Sequence, residues 1–142
     1  MHLSDLTVEK KTGVFEYPGT KLNVELAFLP ASEWQAIRKR CTRIDFNKQH
    51  QQVEVLDDKK WLREFTKAII IGWSGLTVGL IKTMAPVSVK EGITDETEIK
   101  YSEDFALFMM QECQEFANWV ITFQERYETF ARNQQEVTEK NS

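Results

Sequence analysis

The stretch from Trp61 to Trp73, WLREFTKAIIIGW, is the most apolar part of the sequence and constrains the fold more than any other. Its largest apolar side chains recur every four residues, at Trp61, Phe65, Ile69 and Trp73. That spacing places them on one face of an α-helix. Asp57 and Asp58 stand just before it, where carboxylates accept hydrogen bonds from the free amides of a first helical turn. The sequence therefore predicts a central helix whose two tryptophans are largely buried.

Size and composition are typical of one soluble domain. The chain has 142 residues, of which 42% are hydrophobic and 28% are charged. A domain of this length buries roughly two-thirds of its unfolded surface without disulfides or metal. The formal net charge of -4 argues against a protein that lives on nucleic acid or on an anionic membrane.

The cysteines and the apolar runs indicate a cytoplasmic protein. Cys41 and Cys113 are far apart, each within a helical pattern, which is typical of reduced thiols rather than of a disulfide framework. The first residues, MHLSDLTVEKK, contain no apolar core of a secretion signal. The longest apolar run, 68–84, is interrupted by glycine, serine and lysine, so it does not reach membrane-spanning length.

The amino-terminal part predicts β-structure. Apolar and polar residues alternate from Leu22 to Phe28, which predicts a strand with one buried face. A short β-prone run from Val14 to Tyr17 precedes it, and Pro18-Gly19 is a turn signal. The two runs either pair as a hairpin or are joined by a plain loop. Residues 1–12 are polar and are expected to be loose.

The next segment predicts a helix and a loop. A helix is expected from Ser32, with Trp34, Ile37 and Cys41 on one face. Its other side carries four basic residues, Arg38, Lys39, Arg40 and Arg43. Because no aromatic side chains alternate with them, a solvated helix face is favoured over a nucleic-acid patch. Residues 47–52 read as a loop, and Val53 with Val55 forms either a brief strand or an extended lead into the central helix.

The carboxyl-terminal half predicts further helices. A second apolar segment, Leu76 to Met84, with Thr77 as a candidate cap, precedes an exposed connection at 87–98, and Ser102 caps the next helix. Apolar residues then recur at spacings of three and four through Phe130, which favours two helices broken near Gln114 whose aromatic stripe is core.

These patterns predict an α+β fold that is predominantly α. We expect a small N-terminal β-hairpin or strand pair followed by four to five helices. One globular domain would span residues 1–132, and residues 133–142, which have almost nothing to bury, would form a disordered C-terminal tail.

Catalytic and metal-binding patterns are missing from the sequence. It contains no nucleophile elbow, phosphate loop, dinucleotide fingerprint or zincin pair. The carboxylate pairs Asp57-Asp58 and Glu103-Asp104 stand at helix starts, where capping explains them. His50 has no cysteine or carboxylate at ligand spacing. We therefore expect a protein with no catalytic residues, no metal and no cofactor.

Three segments resemble the tail assembly chaperones of long-tailed bacteriophages and prophages: VELAFLPASEWQAIRKRCTR, DDKKWLREFTKAIIIGWSGLT and EIKYSEDFALFMMQECQEFANWVITFQERYETF. In that family a GW-x-GL phrase precedes a variable loop, and an I-x-Y-S lead-in then starts the closing helices. The matching positions are Gly72, Trp73, Gly75 and Leu76, followed by Ile99, Tyr101, Ser102 and Glu103. The resemblance covers roughly residues 22–131, and none of its residues is catalytic.

The resemblance implies a non-enzymatic role in tail assembly. Such proteins bind the tape measure protein in the cytoplasm of the bacterial host, keep it soluble while the tail tube polymerises around it, and are absent from the finished virion. The tail tube protein is a second candidate partner, self-association stays open, and no nucleic acid or membrane is expected. In many relatives a frameshift yields a longer second product.

The surface expected to bind the partner follows Trp73. Leu76, Val78, Leu80 and Ile81 are more apolar residues than one buried face of a short helix needs, and such an excess marks a partner site. The alternative is that two of the four complete the core.

Other functional classes fit less well. The first alternative is a small phage-encoded inhibitor or adaptor that binds a host protein, which fits the acidic charge and the missing catalytic motifs. A permanent virion component ranks lower because such subunits are usually β-rich, and a basic-helix nucleic-acid binder ranks last.

Overall fold

A computed structural model of the protein describes the backbone of residues 1–141 and the side chains of residues 1–134. Its elements, in chain order, are a 3₁₀ turn (Leu3–Asp5), β1 (Lys11–Glu16), β2 (Asn23–Phe28), α1 (Ala31–Arg40), β3 (Thr42–Phe46), β4 (Gln52–Leu56), α2 (Asp58–Ile69), β5 (Ile70–Ser74), α3 (Val78–Met84), α4 (Glu103–Glu112), α5 (Gln114–Glu125) and α6 (Tyr127–Asn141).

The two amino-terminal strands form the hairpin that was one of the two predicted alternatives. β1 and β2 pair antiparallel, with Phe15 opposite Val24. In the turn between them Pro18 fixes its own φ, and Gly19 adopts a φ of 73°, which glycine reaches without steric cost. The amide of Tyr17 donates to the carbonyl of Leu22 across a distance of 2.8 Å and closes the turn.

The central helix ends earlier than the sequence predicts. α2 stops at Ile69, and Ile70–Ser74 is strand β5, which pairs antiparallel with β2 to give a sheet of order β1-β2-β5. The four-residue spacing of apolar side chains predicts a helix that continues to Trp73, one turn beyond the observed end of α2. The residues Ile69, Ile70 and Ile71 are β-branched, and a run of this kind packs well on a pleated sheet.

A second sheet was also missed. β3 and β4 form a two-stranded antiparallel hairpin, with Ile44 opposite Glu54, so Val53 and Val55 belong to a true strand. The tip at Asn47 is stabilised by its side-chain oxygen, which accepts from the amides of Gln49 and Gln51. The prediction of a predominantly α fold with one small β element is therefore wrong. The described residues form a mixed α+β fold with five strands in two antiparallel sheets and six α-helices.

The two tryptophans of the central stretch are only half-buried, contrary to the prediction. Trp61 lies on α2 and contacts Trp34 of α1 at a ring-centroid distance of 5.4 Å, and Phe65 stacks beside Trp61. Trp73 lies on the edge strand β5 instead of this helix face. The residues of the stretch that are fully enclosed are Phe65, Thr66, Ile69 and Ile70.

Three helices, not two, follow Ser102. The break near Gln114 is confirmed, because α4 ends at Glu112 and α5 begins at Gln114. A second break at Arg126 separates α5 from α6. The aromatic stripe supplies core as predicted at Phe116, Phe123 and Phe130, all of them buried. Phe130 packs edge-on against Phe15 of β1, with ring centroids 5.1 Å apart.

The predicted tail at 133–142 falls largely outside the residues whose side chains are described. The backbone of residues 133–141 belongs to α6, and the side chains of the first two of these residues are described. Asn133 donates to the carbonyl of Thr129 at 2.9 Å, and Gln134 donates to the carbonyl of Thr12 at 2.8 Å. The last helix therefore contacts the first strand.

Both cysteines are free and buried, as expected of reduced thiols. Burial, together with the nearby carboxylate of Glu112, raises the pKa of the Cys113 thiol. No helix among the described residues combines the length and apolarity that a membrane crossing requires.

A buried glutamine joins α5 to the end of β2. The side-chain oxygen of Gln124 accepts from the amide of Leu29 at 3.3 Å, and its nitrogen donates to the carbonyl of Ala27. Since both backbone groups are enclosed, Gln124→Leu should lower the free energy of unfolding by about 1–3 kcal/mol. Urea unfolding checks this, with the exposed Gln111→Leu of α4 as control. Equal stability of the two variants would contradict it.

Candidate binding groove

An apolar groove lies between α3, the segment 87–102 and α4. It encloses about 760 Å³, a volume within the range of ligand and peptide-anchor pockets. The residues that line it are mostly apolar: Val78, Ile81, Val87, Ser88, Val89, Ile93, Thr97, Glu98, Ile99, Lys100, Tyr101, Ser102, Phe105 and Phe108.

Large apolar side chains remain open to solvent inside this groove. Phe105 of α4 is 42% exposed, and Ile93 of the connecting segment is 43% exposed. Val78, Ile81 and Ile99 also line the groove and are buried. The groove therefore has an enclosed apolar base and accessible apolar walls, which is the arrangement that captures an apolar partner.

The four residues predicted to bind a partner divide between core and groove. Leu76, Val78 and Ile81 are buried, and Leu80 is half-buried. Val78 and Ile81 line the base of the groove. Leu76 and Leu80 are not among its lining residues. Three of the four residues are therefore part of the core, which agrees with the alternative given above. Two of these three also form the base of the groove.

A pair of aromatic residues positions the groove. The indole N–H of Trp73 donates to the carbonyl of Ile99 at 2.9 Å. The hydroxyl of Tyr101 donates to the carbonyl of Ile70 at 2.9 Å, and the two rings meet edge to face with centroids 5.1 Å apart. We call this reciprocal arrangement the Trp73–Tyr101 clamp. The clamp connects the GW-x-GL segment, which contains Trp73, with the I-x-Y-S segment, which contains Tyr101. These two segments carry the resemblance to tail assembly chaperones.

The chemistry of the clamp favours a neutral phenol. Burial raises the pKa of Tyr101, and the nearby carboxylate of Glu103 raises it further. The hydroxyl therefore keeps its proton, and with it the hydrogen bond to Ile70, at every pH below its ordinary value of 10.0.

Backbone hydrogen bonds tie the connecting segment to α3. The amide of Ile99 donates to the carbonyl of Leu76 at 2.8 Å, and the amide of Val78 donates to the carbonyl of Thr97 at 2.9 Å. The side chain of Thr77 caps α3 by accepting from the amide of Leu80, as predicted. The segment read from the sequence as a polar connection is therefore an anchored wall of the groove.

Gly75 allows the chain to turn between β5 and α3. Its φ is 82°, and a β-carbon there would overlap the carbonyl oxygen of Lys21. A side chain at this position is excluded by both the dihedral angle and the space. Gly75, the second glycine of the GW-x-GL segment, is thus required because the β1–β2 turn approaches it closely.

The start of α4 presents Phe105 to the groove. Ser102 is the N-cap, as predicted, and its hydroxyl accepts from the amide of Phe105 at 3.1 Å. Phe105 is the third residue of the helix, and Phe108 follows one turn later. The cap fixes the orientation of this wall.

The surface around the groove is acidic. Residues 87–105 contain two lysines, Lys90 and Lys100, and six exposed carboxylates: Glu91, Asp95, Glu96, Glu98, Glu103 and Asp104. Asp95 pairs with Lys82 of α3 at 2.7 Å, and it is the only one of the six in an ion pair among the described residues.

Sequence reasoning missed the exposed walls. Phe105 and Phe108 were assigned to the core stripe, and Val89 and Ile93 were read as part of a polar loop. A signal was present: Phe105 to Met110 are six consecutive apolar residues, more than one helix face buries.

A second apolar surface lies on the β3–β4 hairpin. Ile44 is 67% exposed and Phe46 is 61% exposed, and alternation along β3 places both on the same face. Two-stranded hairpins are marginally stable in isolation, and this one is held to the domain by contacts between α1 and β3.

No group of three or more histidine, cysteine, aspartate or glutamate side chains is arranged to hold a metal ion in the part of the chain that the structure describes.

A family of known proteins matches most of this chain. The sequence profile described as YdaY prophage protein matches residues 31–141, a span that contains α3, the connecting segment and α4. No curated protein and no solved structure matches the chain.

Removing one hydroxyl tests the clamp. Tyr101→Phe keeps the ring against Trp73 and leaves the carbonyl of Ile70 without its donor, so the free energy of unfolding should fall by about 1 kcal/mol at neutral pH. Because the folded protein raises the pKa of Tyr101, this stabilisation is present below pH 10.0 and is lost as the pH rises through the folded-state pKa. The difference between variant and wild type should therefore shrink in strong alkali.

Urea unfolding at several pH values measures this difference. Tyr127→Phe is the matched control, since Tyr127 is exposed and donates no hydrogen bond among those described. A Tyr101→Phe protein as stable as wild type at neutral pH would show that the clamp does not hold the groove.

Proposed function

The chain belongs to the YdaY prophage protein family, and from that premise we propose that it is a non-enzymatic tail assembly chaperone. In this proposal it binds the tape measure protein in the cytoplasm of the bacterial host and keeps it soluble while the tail tube polymerises. It then leaves, so that it is absent from the mature virion.

The groove supports this proposal. A long tape measure protein that has not yet been enclosed by the tube presents apolar stripes to water, and it needs a reversible cover. The exposed side chains of Phe105, Ile93 and Val89 offer a matching apolar surface on a small acidic protein. The segments that contain Trp73 and Tyr101 resemble those of tail assembly chaperones, and this resemblance supports the same function.

Co-expression with the tape measure protein from the same prophage tests the role. We expect the soluble yield of that protein to rise and the two chains to co-purify. In Phe105→Glu the groove gains a charge that an apolar partner cannot pair, so co-purification should fall by about tenfold or more. A glutamate at this third helical position completes a capping box with Ser102, so the fold and melting temperature should be retained.

The matched control is Ile121→Glu on α5. Ile121 is 38% exposed and does not line the groove, so this variant adds the same charge to a helix surface elsewhere. It should co-purify as wild type does. If the tape measure protein is equally soluble with and without this chain, the chaperone proposal is wrong.

A second candidate is favoured by the β3–β4 hairpin. A small phage-encoded inhibitor or adaptor that binds a host protein would use an exposed apolar face such as that of Ile44 and Phe46. Capture of a host protein that Ile44→Glu abolishes and Phe105→Glu does not would favour this candidate over the chaperone.

A further inference from the structure

We propose that the groove takes an amphipathic α-helix of the partner whose apolar stripe is flanked by lysine and arginine. This inference rests on the proposed function and specifies which segment of the tape measure protein is bound. Two properties of the groove carry it, namely the hydrogen bonds that the backbone of Asp95, Thr97 and Ile99 already makes and the charge around the groove.

Where the wall lies beside α3, the carbonyls of Asp95 and Thr97 and both backbone groups of Ile99 are already hydrogen-bonded, so a partner strand cannot pair with them. The carbonyl of Ile99 accepts from Trp73 and its amide donates to Leu76. The carbonyls of Thr97 and Asp95 accept from the first amides of α3. Along these residues a partner binds through its side chains, and a helix presents these at positions i, i+3, i+4 and i+7 without needing backbone partners.

One acceptor on the edge of the sheet next to the groove is also occupied. Tyr101 donates to the carbonyl of Ile70 on β5, which occupies an acceptor that an added strand would use. A Cβ at Gly79 would lie 3.1 Å from the side chain of Asp95 and 3.2 Å from its carbonyl oxygen. At this point the segment packs closely on α3, so no extended chain passes between Gly79 and Asp95.

The exposed carboxylates around the groove favour a partner helix with basic residues on either side of its apolar stripe. Glu96 and Glu98 are exposed and form no ion pair among the described residues, and Glu98 lines the groove. Glu103 and Asp104 lie beside Phe105 at the start of α4. Carboxylates within about one Debye length, roughly 8–10 Å, attract a basic flank and repel an acidic one.

The apolar base sets how such a helix sits. Val78, Ile81 and Ile99 are buried and reach the groove, so the stripe lies over them while Phe105 and Ile93 contact its sides. The lysine and arginine side chains then extend along apolar surface and place their charges at the acidic rim.

Three synthetic peptides test the inference directly. All are amphipathic helices with the same leucine stripe, and their flanking residues are lysine, glutamine or glutamate. Fluorescence anisotropy with the full chain should show the lysine peptide binding about tenfold tighter than the glutamine peptide, and the glutamate peptide weakest. Added salt should remove this ranking without abolishing binding of the glutamine peptide.

Two variants locate the effect. Glu96→Lys combined with Glu98→Lys should weaken binding of the lysine peptide by about tenfold and strengthen that of the glutamate peptide. Glu16→Lys combined with Glu125→Lys changes the net charge equally at exposed positions that do not line the groove, and it should leave the ranking unchanged. Phe105→Glu should weaken binding of all three peptides.

The inference and the proposed function fail in different ways. If the three peptides bind equally at low salt, or none binds although the tape measure protein co-purifies, the inference is wrong and the chaperone role stands. If the lysine peptide binds as expected but the tape measure protein neither gains solubility nor co-purifies, the chemistry of the groove is upheld and the tape measure protein is not its occupant.

Discussion

The hydrogen bond from the indole of Trp73 to the carbonyl of Ile99 is the contact on which the candidate site depends. It connects an edge strand to a segment twenty-six positions later, and Tyr101 returns the connection by bonding to Ile70. A segment of irregular backbone is costly to order, and these bonds, with those to α3, provide the compensation. They also fix the position at which Ser102 caps α4, and therefore the direction in which the side chain of Phe105 projects.

The same anchoring explains how apolar side chains remain exposed without loss of the fold. Phe116, Phe123 and Phe130 belong to the core together with residues of β1 and β2, and the exposed groove residues are not part of that core. Val89, Ile93 and Phe105 stay partly in water, at a cost in free energy that a bound partner would remove. The exposed apolar walls are thus distinct from the buried base that the groove shares with the core.

Local signals in the sequence predicted the local features. Asp57, Thr77 and Ser102 cap their helices because each cap depends on neighbouring amides alone, and the β1–β2 hairpin follows from alternation and Pro18-Gly19. The strand β5 was missed because Trp73 continues a four-residue spacing by coincidence, and its strand character depends on pairing with distant β2. The groove was missed for the same reason, since the contact of 87–102 with α3 and α4 is tertiary.

The central claim is that the partner binds in the groove, and methyl NMR during a titration with the tape measure protein tests it most directly. The account predicts that the methyl signals of Val87, Val89 and Ile93 shift or broaden while that of Ile44 on the β3–β4 hairpin stays in place. Changes centred on Ile44, with the groove methyl signals unmoved, would contradict it.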